Sequence, residues 1–421
     1  MDFEHSRRSS LKKIAAGLGA AALGRSGLSL AQQDTLKVAA VYPLSGVLAQ
    51  QGNYILQGAK VAAEQFNRSG GVMGKKVELV IRDDKASPAE AALVAREIFG
   101  SGIKFIVGGV LTAPSMAIVN LLAENDGVFV LGGSSLMAMT HESFNPRAFR
   151  SSPNALMNLY ALAKAMAMNH PDVTRWGGIA SDNQFSTDNY KLFMAGIRKF
   201  YKDIARKNVE ILDPVLAPFP ATDFKVQIAK FMASPLEGFF MGVVGSDFST
   251  FMAQAKPQGL YNKVKVFADF GNGIGAGRVL GANMPKEFWS ATPWYPDPKN
   301  GSAGTKQLIK DYQAMTGDKA LPDSGAFYGY AGMTAMLSAI RNAKSLEPPV
   351  VRVALERLTL ELPNGAFAFR KEDHGAITNV EAIKMGSKSG DPGWEVKKVV
   401  TVQGADVMEP PAPGQKFVIE G

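Results

Sequence analysis

Residues 36–46 read Leu-Lys-Val-Ala-Ala-Val-Tyr-Pro-Leu-Ser-Gly, and this stretch decides the fold class because it begins as a buried strand and ends as a turn. The apolar run over residues 36–44 predicts the strand, and Pro43 with Ser45-Gly46 ends it. Beyond Asn53, apolar side chains recur at helical spacing, at Ile55, Ala59, Ala62 and Phe66. A strand, a turn and an amphipathic helix in this order predict the first unit of an α/β fold.

The same unit recurs along the chain. Strands are predicted at residues 76–84, 105–109 and 128–133, with helices between them. After a break at residues 149–153, further strands are predicted at residues 176–181, 209–212, 239–244 and 264–270. Short apolar strands separated by helices are typical of a parallel sheet that is covered on both faces. The pattern therefore predicts two doubly wound, Rossmann-like α/β units in series.

The last third of the chain has a different order of elements. Residues 288–295 are predicted as a strand that leads to three helices, and strands follow from residue 358. This order predicts that the chain crosses back between two lobes that can close on a ligand. We assign residues 36–150 plus 288–357 to lobe 1, residues 151–287 plus 358–405 to lobe 2, and residues 406–421 to a C-terminal tail.

Residues 1–31 have the organisation of an export signal. Ser6-Arg7-Arg8-Ser9-Ser10-Leu11-Lys12 is similar to a twin-arginine motif, and a weakly apolar stretch over residues 14–23 follows it. Ser29-Leu30-Ala31 then supplies the small residues that a signal peptidase reads. We expect removal of the signal near Ala31 and a periplasmic protein, with twin-arginine and general export both open.

The composition excludes several classes of site. The 421 residues contain no cysteine, which rules out disulfides, thiol nucleophiles and thiolate metal sites. The four histidines are scattered, so no metal or cofactor site is expected. The net charge is +8, but the lysines and arginines are dispersed among acids, and no nucleic-acid partner is expected.

Four loops follow predicted strands and carry small or polar side chains, at residues 45–52, 110–113, 132–135 and 182–185. In open α/β sheets, ligands bind beyond the carboxyl ends of the strands, where helix N-termini present backbone N–H groups. Hydroxyls and free amides can bind a carboxylate without burying a counter-charge. Glycine and serine are also ordinary turn residues, so each loop taken alone is equally consistent with a turn.

Several segments carry a family resemblance, namely residues 41–46, 67–72, 82–84 and 106–109. They resemble the periplasmic leucine/isoleucine/valine-binding protein family, the type I solute-binding proteins of ABC transporters. The resemblance implies a non-enzymatic protein with two lobes joined by three crossovers, and we expect it to be a monomer. It also implies that an amino acid or a related small carboxylate or amide binds between the lobes, and that the loaded protein docks on an ABC permease in the inner membrane.

The resemblance also implies site residues. It places contacts to a ligand carboxylate at Thr112, Gly133 and Ser135, and an aromatic wall at Phe185. Asp269 is expected to pair with a ligand amine, with Asn272 as the substitute. The complete expected ligand-binding set is Ser45, Gln51, Thr112, Gly133, Ser134, Ser135, Phe185, Asp269 and Phe327.

Two positions depart from the family pattern. Gln51 stands where the leucine-binding members carry a tryptophan that caps the ligand side chain. Gly245 stands where they present a tyrosine to the ligand ammonium. The first departure argues against an apolar cap on the ligand side chain, and the second weakens the case for a plain α-amino acid as ligand.

Two enzyme classes share short motifs with the chain. Ser101-Gly102-Ile103-Lys104, Ser181-Asp182-Asn183 and Lys388-Ser389-Gly390 match the motifs of serine β-lactamases and penicillin-binding enzymes. Gly102, however, interrupts the helical turn that would bring the lysine to the serine hydroxyl. Gly271-Asn272-Gly273-Ile274-Gly275-Ala276 matches a dinucleotide fingerprint, but no complete strand–helix–strand unit with a placed acid follows it. We therefore interpret it as a glycine-rich cleft loop.

Overall fold

The computed structural model describes residues 35–135 and 137–419, so the expected export signal at residues 1–31 lies outside the described residues. The first lobe is built around a parallel five-stranded sheet with the order β2-β1-β3-β4-β5. Its first elements are β1 (Thr35–Tyr42), α1 (Ala49–Arg68), β2 (Lys76–Asp83), α2 (Pro88–Gly100), β3 (Phe105–Gly108), α3 (Thr112–Val119), β4 (Val128–Leu131) and β5 (Ala148–Arg150). Within β3 and β4 every residue is buried, as expected for strands covered on both faces.

The second lobe contains the second predicted α/β unit. Its elements are α4 (Ala155–Asn169), β6 (Arg175–Ser181), α5 (Gln184–Phe200), β7 (Glu210–Ile211), β8 (Val215–Ala217), α6 (Lys225–Ala233), β9 (Gly238–Gly242), α7 (Gly245–Ala255), α8 (Leu260–Lys263), β10 (Val266–Asp269), α9 (Ile274–Leu280) and β11 (Phe288–Thr292). The strands from β6 to β11 run parallel where they pair.

The chain then returns to the first lobe and crosses once more. Lobe 1 gains α10 (Ala303–Thr316), α11 (Ala326–Ala343), α12 (Pro348–Glu356), β12 (Thr359–Leu362), β13 (Gly365–Phe369) and β14 (Ala376–Thr378). Lobe 2 gains β15 (Val380–Ser387) and β16 (Trp394–Val402), which extend its sheet to the order β16-β15-β11-β10-β9-β6-β7, with β8 beside β6. The chain therefore passes between the lobes three times, after β5, β11 and β14.

Two segments lie in the other lobe from the one we expected. Residues 288–292 were assigned to lobe 1, but β11 pairs with β10 and β15, and Phe288 and Trp289 pack in the second lobe's core. Residues 359–378 were assigned to lobe 2, but Phe367 and Phe369 of β13 pack into the core shared with α11 and α12. In both cases the strand belongs to the lobe whose hydrophobic core buries its apolar side chains.

Residues 406–421 were expected to form a tail, and the described part, up to residue 419, is bound to the body of the protein. The Glu409 carboxylate accepts two hydrogen bonds from the Asn154 amide, at 2.8 and 2.9 Å, at the start of α4. The backbone carbonyl of Glu409 accepts a hydrogen bond from Arg370 in lobe 1. Farther on, the Gly414 N–H donates to the His141 carbonyl at 2.8 Å. The tail thus contacts both lobes where the chain first crosses.

Helices α1 and α11 touch through their backbones, and this contact sets the position of the loops at their N-terminal ends. A Cβ added at Gly58 would lie 1.7 Å from the Ala326 carbonyl oxygen, and one added at Gly329 would lie 1.9 Å from that of Ile55. Only glycine permits so close an approach. Across the part of the chain that the structure describes, no helix combines the length and apolar character that crossing a bilayer requires.

Candidate ligand-binding cleft

The carboxyl ends of the strands in the two lobes face one another. Arg278 on α9 of lobe 2 forms a salt bridge with Asp323, which precedes α11 of lobe 1, at 3.1 Å. A second, weaker contact joins the Arg278 guanidinium to the Leu321 carbonyl at 3.5 Å. Because α9 follows β10 and because α11 packs along α1, these contacts bring the loop edges of both sheets to one inter-lobe cleft.

The turn from β3 to α3 presents unpaired donors at this cleft. Gly109 has φ +81° and turns the chain sharply after the strand, and Thr112 then begins α3 with its side chain exposed. The Thr112 hydroxyl and the backbone N–H groups of Thr112 and Ala113 donate to no other described residue. N–H groups in the first turn of a helix have no partner inside the helix and carry partial positive charge. The turn can therefore bind an anionic oxygen.

The neighbouring turn after β4 contributes a hydroxyl. The half-buried Ser135 side chain has no hydrogen-bond partner among the described residues, although its carbonyl accepts from the Ala155 N–H at 3.3 Å. Ser134 is buried, and its carbonyl accepts from the Ser152 hydroxyl at 2.7 Å. The Gly133 N–H already donates to the Gly109 carbonyl at 3.0 Å, so Gly133 offers space and no free amide.

The loop after β1 is held in place by Asp83 at the end of β2. The Asp83 carboxylate accepts hydrogen bonds from the Ser45 hydroxyl and from the Leu44 and Lys85 N–H groups. Partial burial raises the pKa of Asp83, but these hydrogen bonds outweigh it and hold the pKa below its usual range. Ser45 is therefore engaged within its own loop. Gln51, in the first turns of α1, is exposed.

Lobe 2 presents two aromatic rings at the same cleft. Phe185 is the second residue of α5, and 62% of it is exposed to solvent. Its ring lies 6.1 Å from that of Phe270, at an angle of 48°. We did not predict Phe270 as a site residue, because it reads as the last residue of an apolar strand. β10 in fact ends at Asp269, and this places Phe270 on the loop.

Asp269 is sealed inside a hydrogen-bond network. It is 0% exposed, and its carboxylate accepts hydrogen bonds from the Ser290 hydroxyl at 2.7 Å and from the Asn272 N–H and side-chain amide at 3.2 and 2.5 Å. The Ser290 oxygen in turn accepts from the Gly273 N–H at 3.1 Å. Burial raises the pKa of Asp269 to about 6, against the lowering effect of these donors. In this arrangement Asp269 and Asn272 pin the glycine-rich turn before α9.

Phe327 lies in the core of lobe 1, away from the solvent-facing cleft. It is 1% exposed, and its ring stacks on that of Trp294 at 6.0 Å and 28°. Our expectation of a ligand contact at Phe327 is therefore not met in this structure, because the Phe327 side chain packs in the lobe 1 core beside Trp294.

The motifs shared with serine enzymes do not form a catalytic site. Ser101 ends α2 and donates to the Ile98 carbonyl at 2.7 Å, while the Lys104 ammonium donates to the Asn125 carbonyl at 2.8 Å. Ser181 lies in the other lobe, at the end of β6. Among residues 35–135 and 137–419 there is also no group of three or more side chains that could hold a metal ion.

Comparison with known proteins identifies the family. The family model described as periplasmic binding protein matches residues 35–390, and the chain therefore belongs to this family. The leucine-, isoleucine-, valine-, threonine- and alanine-binding protein of Pseudomonas aeruginosa is 27% identical over 356 residues, which are 83% of this chain and 88% of that protein.

Solved structures share the two-lobed fold of type I periplasmic binding proteins. The closed leucine-, isoleucine-, valine-, threonine- and alanine-binding protein of Brucella ovis gives a TM-score of 0.77 at 22% identity, covering 90% of this chain and 98% of that one. A solute-binding protein of an ABC transporter from Rhodopseudomonas palustris, in complex with 3,4-dihydroxy benzoic acid, gives a TM-score of 0.71 at 19% identity. The match covers 90% of this chain and 99% of that one.

Proposed function

We propose that this protein is the solute-binding component of an ABC importer, and that it closes its lobes on a small carboxylate and releases it unchanged. The observation that carries the proposal is the pairing of two surfaces across the cleft. Thr112, Ala113 and Ser135 in lobe 1 present donors with no partner among the described residues, while lobe 2 presents the exposed ring of Phe185. Donors on one side and an apolar wall on the other suit a ligand with a carboxylate head and an apolar body.

The relatives support the importer role and the carboxylate. The names of the Pseudomonas aeruginosa and Brucella ovis proteins specify amino acids, and the Rhodopseudomonas palustris protein holds a benzoic acid. A carboxyl group is the feature that these compounds share. An amino acid or a related small carboxylate is therefore the ligand class that we propose for this chain.

The site supports capture without turnover. Its hydroxyls and amides have no neighbouring general base, and a base within hydrogen-bond reach is what activates a serine or threonine nucleophile. Residues 1–31 support export, and we propose a monomer in the periplasm that delivers its ligand to an inner-membrane permease.

A thermal-shift screen over amino acids, amides and carboxylates tests this function. A ligand that binds only the folded protein stabilises it by about 2.7 kcal/mol at a hundredfold excess over its Kd. Ser135→Ala should weaken the binding of a carboxylate about tenfold, because one hydrogen bond to a charged group is lost. Ser101→Ala is the matched control, since its hydroxyl is engaged at the end of α2. Recovery of a chemically altered ligand, or no stabilisation by any compound, would contradict the proposal.

A further inference from the structure

A ligand ammonium enclosed between two lobes needs an anionic or strongly polar partner. Burying an unpaired charge is costly, and the cost is offset only when a carboxylate or several acceptors replace the lost water. The acids at the carboxyl ends of the strands are therefore the first candidates for binding the ammonium group of an α-amino acid.

Asp269, the acid expected to bind the ligand ammonium, already accepts hydrogen bonds from within the protein. All the hydrogen bonds of Asp269 described above come from its own turn and from Ser290, and the residue is 0% exposed. Its donors also hold the turn that begins α9. Redirecting this carboxylate to a ligand would break the turn, because the Asn272 N–H and the Ser290 hydroxyl would lose their acceptor.

Four other acids near the cleft are hydrogen-bonded, ion-paired or exposed to solvent. Asp83 binds the loop after β1, and the buried Asp247 accepts from the Ala221 N–H at 3.1 Å. Asp323 pairs with Arg278. Asp182, which follows β6, is exposed, and water and salt screen the charge of an exposed carboxylate.

At Gly245, the position where the resemblance places a partner for the ligand ammonium, lobe 2 has open space and aromatic rings nearby. A Cβ added at Gly245, the first residue of α7, would meet no atom within 4 Å. Phe185 and Phe270 flank the neighbouring loops, with Phe185 mostly exposed. Aromatic rings prefer offset or edge-on partners with centroids about 4.5–7 Å apart, and Phe185 is exposed enough to pack against a further ring.

We infer that the cleft selects an aromatic carboxylate that lacks an α-ammonium group. Thr112, Ala113 and Ser135 bind its carboxylate, and Phe185 with Phe270 contacts its ring. The inference rests on the proposed function and narrows it to one ligand class. An α-amino acid with the same ring binds less tightly because its ammonium loses water without gaining a buried partner.

Two matched pairs of ligands test this inference by isothermal titration calorimetry. 3-Phenylpropanoate and L-phenylalanine differ only in the α-ammonium group, and the first should bind at least tenfold more tightly. 4-Methylpentanoate and L-leucine repeat the comparison without a ring, and 4-methylpentanoate should bind severalfold more weakly than 3-phenylpropanoate. Phe185→Leu should remove most of the preference for the ring. Phe219→Leu is the control, because Phe219 is 61% exposed and makes no ring contact with Phe185 or Phe270 among the described residues.

The outcomes separate the inference from the proposed function. Equal or tighter binding of L-phenylalanine would overturn the inference and leave the importer function standing. If Asp182→Asn then abolished that binding, the ammonium partner would be Asp182. No binding of either pair, together with no thermal stabilisation by any carboxylate, would overturn both. Tenfold discrimination against the amine that survives in Asp182→Asn would support the inference.

Discussion

The salt bridge between Arg278 and Asp323 should strengthen ligand binding, because it joins the two lobes across the cleft. Asp323→Asn removes the charge and keeps the local structure. One oxygen of Asp323 accepts from the Gly325 N–H at 2.9 Å, and the asparagine oxygen can replace it in that hydrogen bond. The substitution therefore acts on the inter-lobe contact and leaves the start of α11 intact.

The exposure of the two side chains sets the magnitude. Arg278 is 41% exposed and Asp323 is 24% exposed, so the pair is partly solvated. Exposed ion pairs contribute roughly 0.3–1 kcal/mol. At about 1.4 kcal/mol for each factor of ten, Asp323→Asn should raise the Kd about two- to fivefold, mainly through faster dissociation. The effect should shrink as salt is added.

Asp223→Asn is a closely matched control within lobe 2. Asp223 accepts from the N–H two residues on, at 3.0 Å, and pairs with Lys225 at 3.6 Å, but this pair does not join the lobes. Stopped-flow experiments measure the ligand dissociation rates of both variants. With Arg278→Gln, they complete a double-mutant cycle that gives the coupling free energy between Arg278 and Asp323. Equal rates for Asp323→Asn and Asp223→Asn, or zero coupling in the cycle, would refute this reasoning.

Three further predictions concern stability. Burial raises the pKa of Glu381 from 4.5 to about 7 in the folded protein, so the stability that its protonation contributes at low pH is lost as the pH rises through this range. Between about pH 5 and 8, Glu381→Gln should therefore lose less stability than the parent protein, by up to about 3 kcal/mol in urea unfolding. Gly329→Ala should destabilise by at least about 2 kcal/mol because α1 leaves no room for a Cβ, whereas Gly100→Ala, with open space around it, should be neutral or stabilising. Glu409→Ala should cost about 3 kcal/mol of folding stability, because the buried Asn154 amide loses the carboxylate that accepts its two hydrogen bonds. A change below about 0.5 kcal/mol would show that the tail is not part of the folded unit.

Most of the secondary structure could be predicted because each element carries its own apolar pattern. β2 and β6 each differ by one residue from the predicted strand. The start of α1 was placed late, at Asn53, because Gln50 and Gln51 read as loop. The helix in fact begins at Ala49, where Gly52 packs so tightly on Pro43 that an added Cβ would lie 1.9 Å from the Pro43 oxygen. This contact is between chain segments and leaves no local pattern.

The lobe to which a strand belongs could not be predicted for β11 and β13. Both are short apolar runs, and either sheet could accept such a strand. Partners far away in the sequence decide the matter, since Ser290 of β11 pairs with Ile383 and Phe367 of β13 packs beneath α11. Long-range pairing of this kind leaves no signal within the strand itself.

The site was predicted unevenly for the same reason. The loops after β3 and β4 were found because small and hydroxyl residues follow apolar strands, and the Thr112 and Ser135 hydroxyls there bond to no other described residue. The role of Asp269 depends on a hydroxyl 21 residues away, at Ser290. A single sequence shows an acid after a strand, but it does not show whether that acid faces the ligand or its own turn.

Closure of the lobes on a carboxylate is the central claim, and one distance tests it most directly. The chain has no cysteine, so Ala89→Cys and Val226→Cys would carry the only two spin labels. Both sites are exposed, on α2 and α6, beside the sheet edges farthest from the crossovers, where closure moves the lobes most. Pulsed electron paramagnetic resonance should show the label distance shorten by several ångström when 3-phenylpropanoate or another stabilising carboxylate saturates the protein. An unchanged distance distribution at saturation would contradict the account.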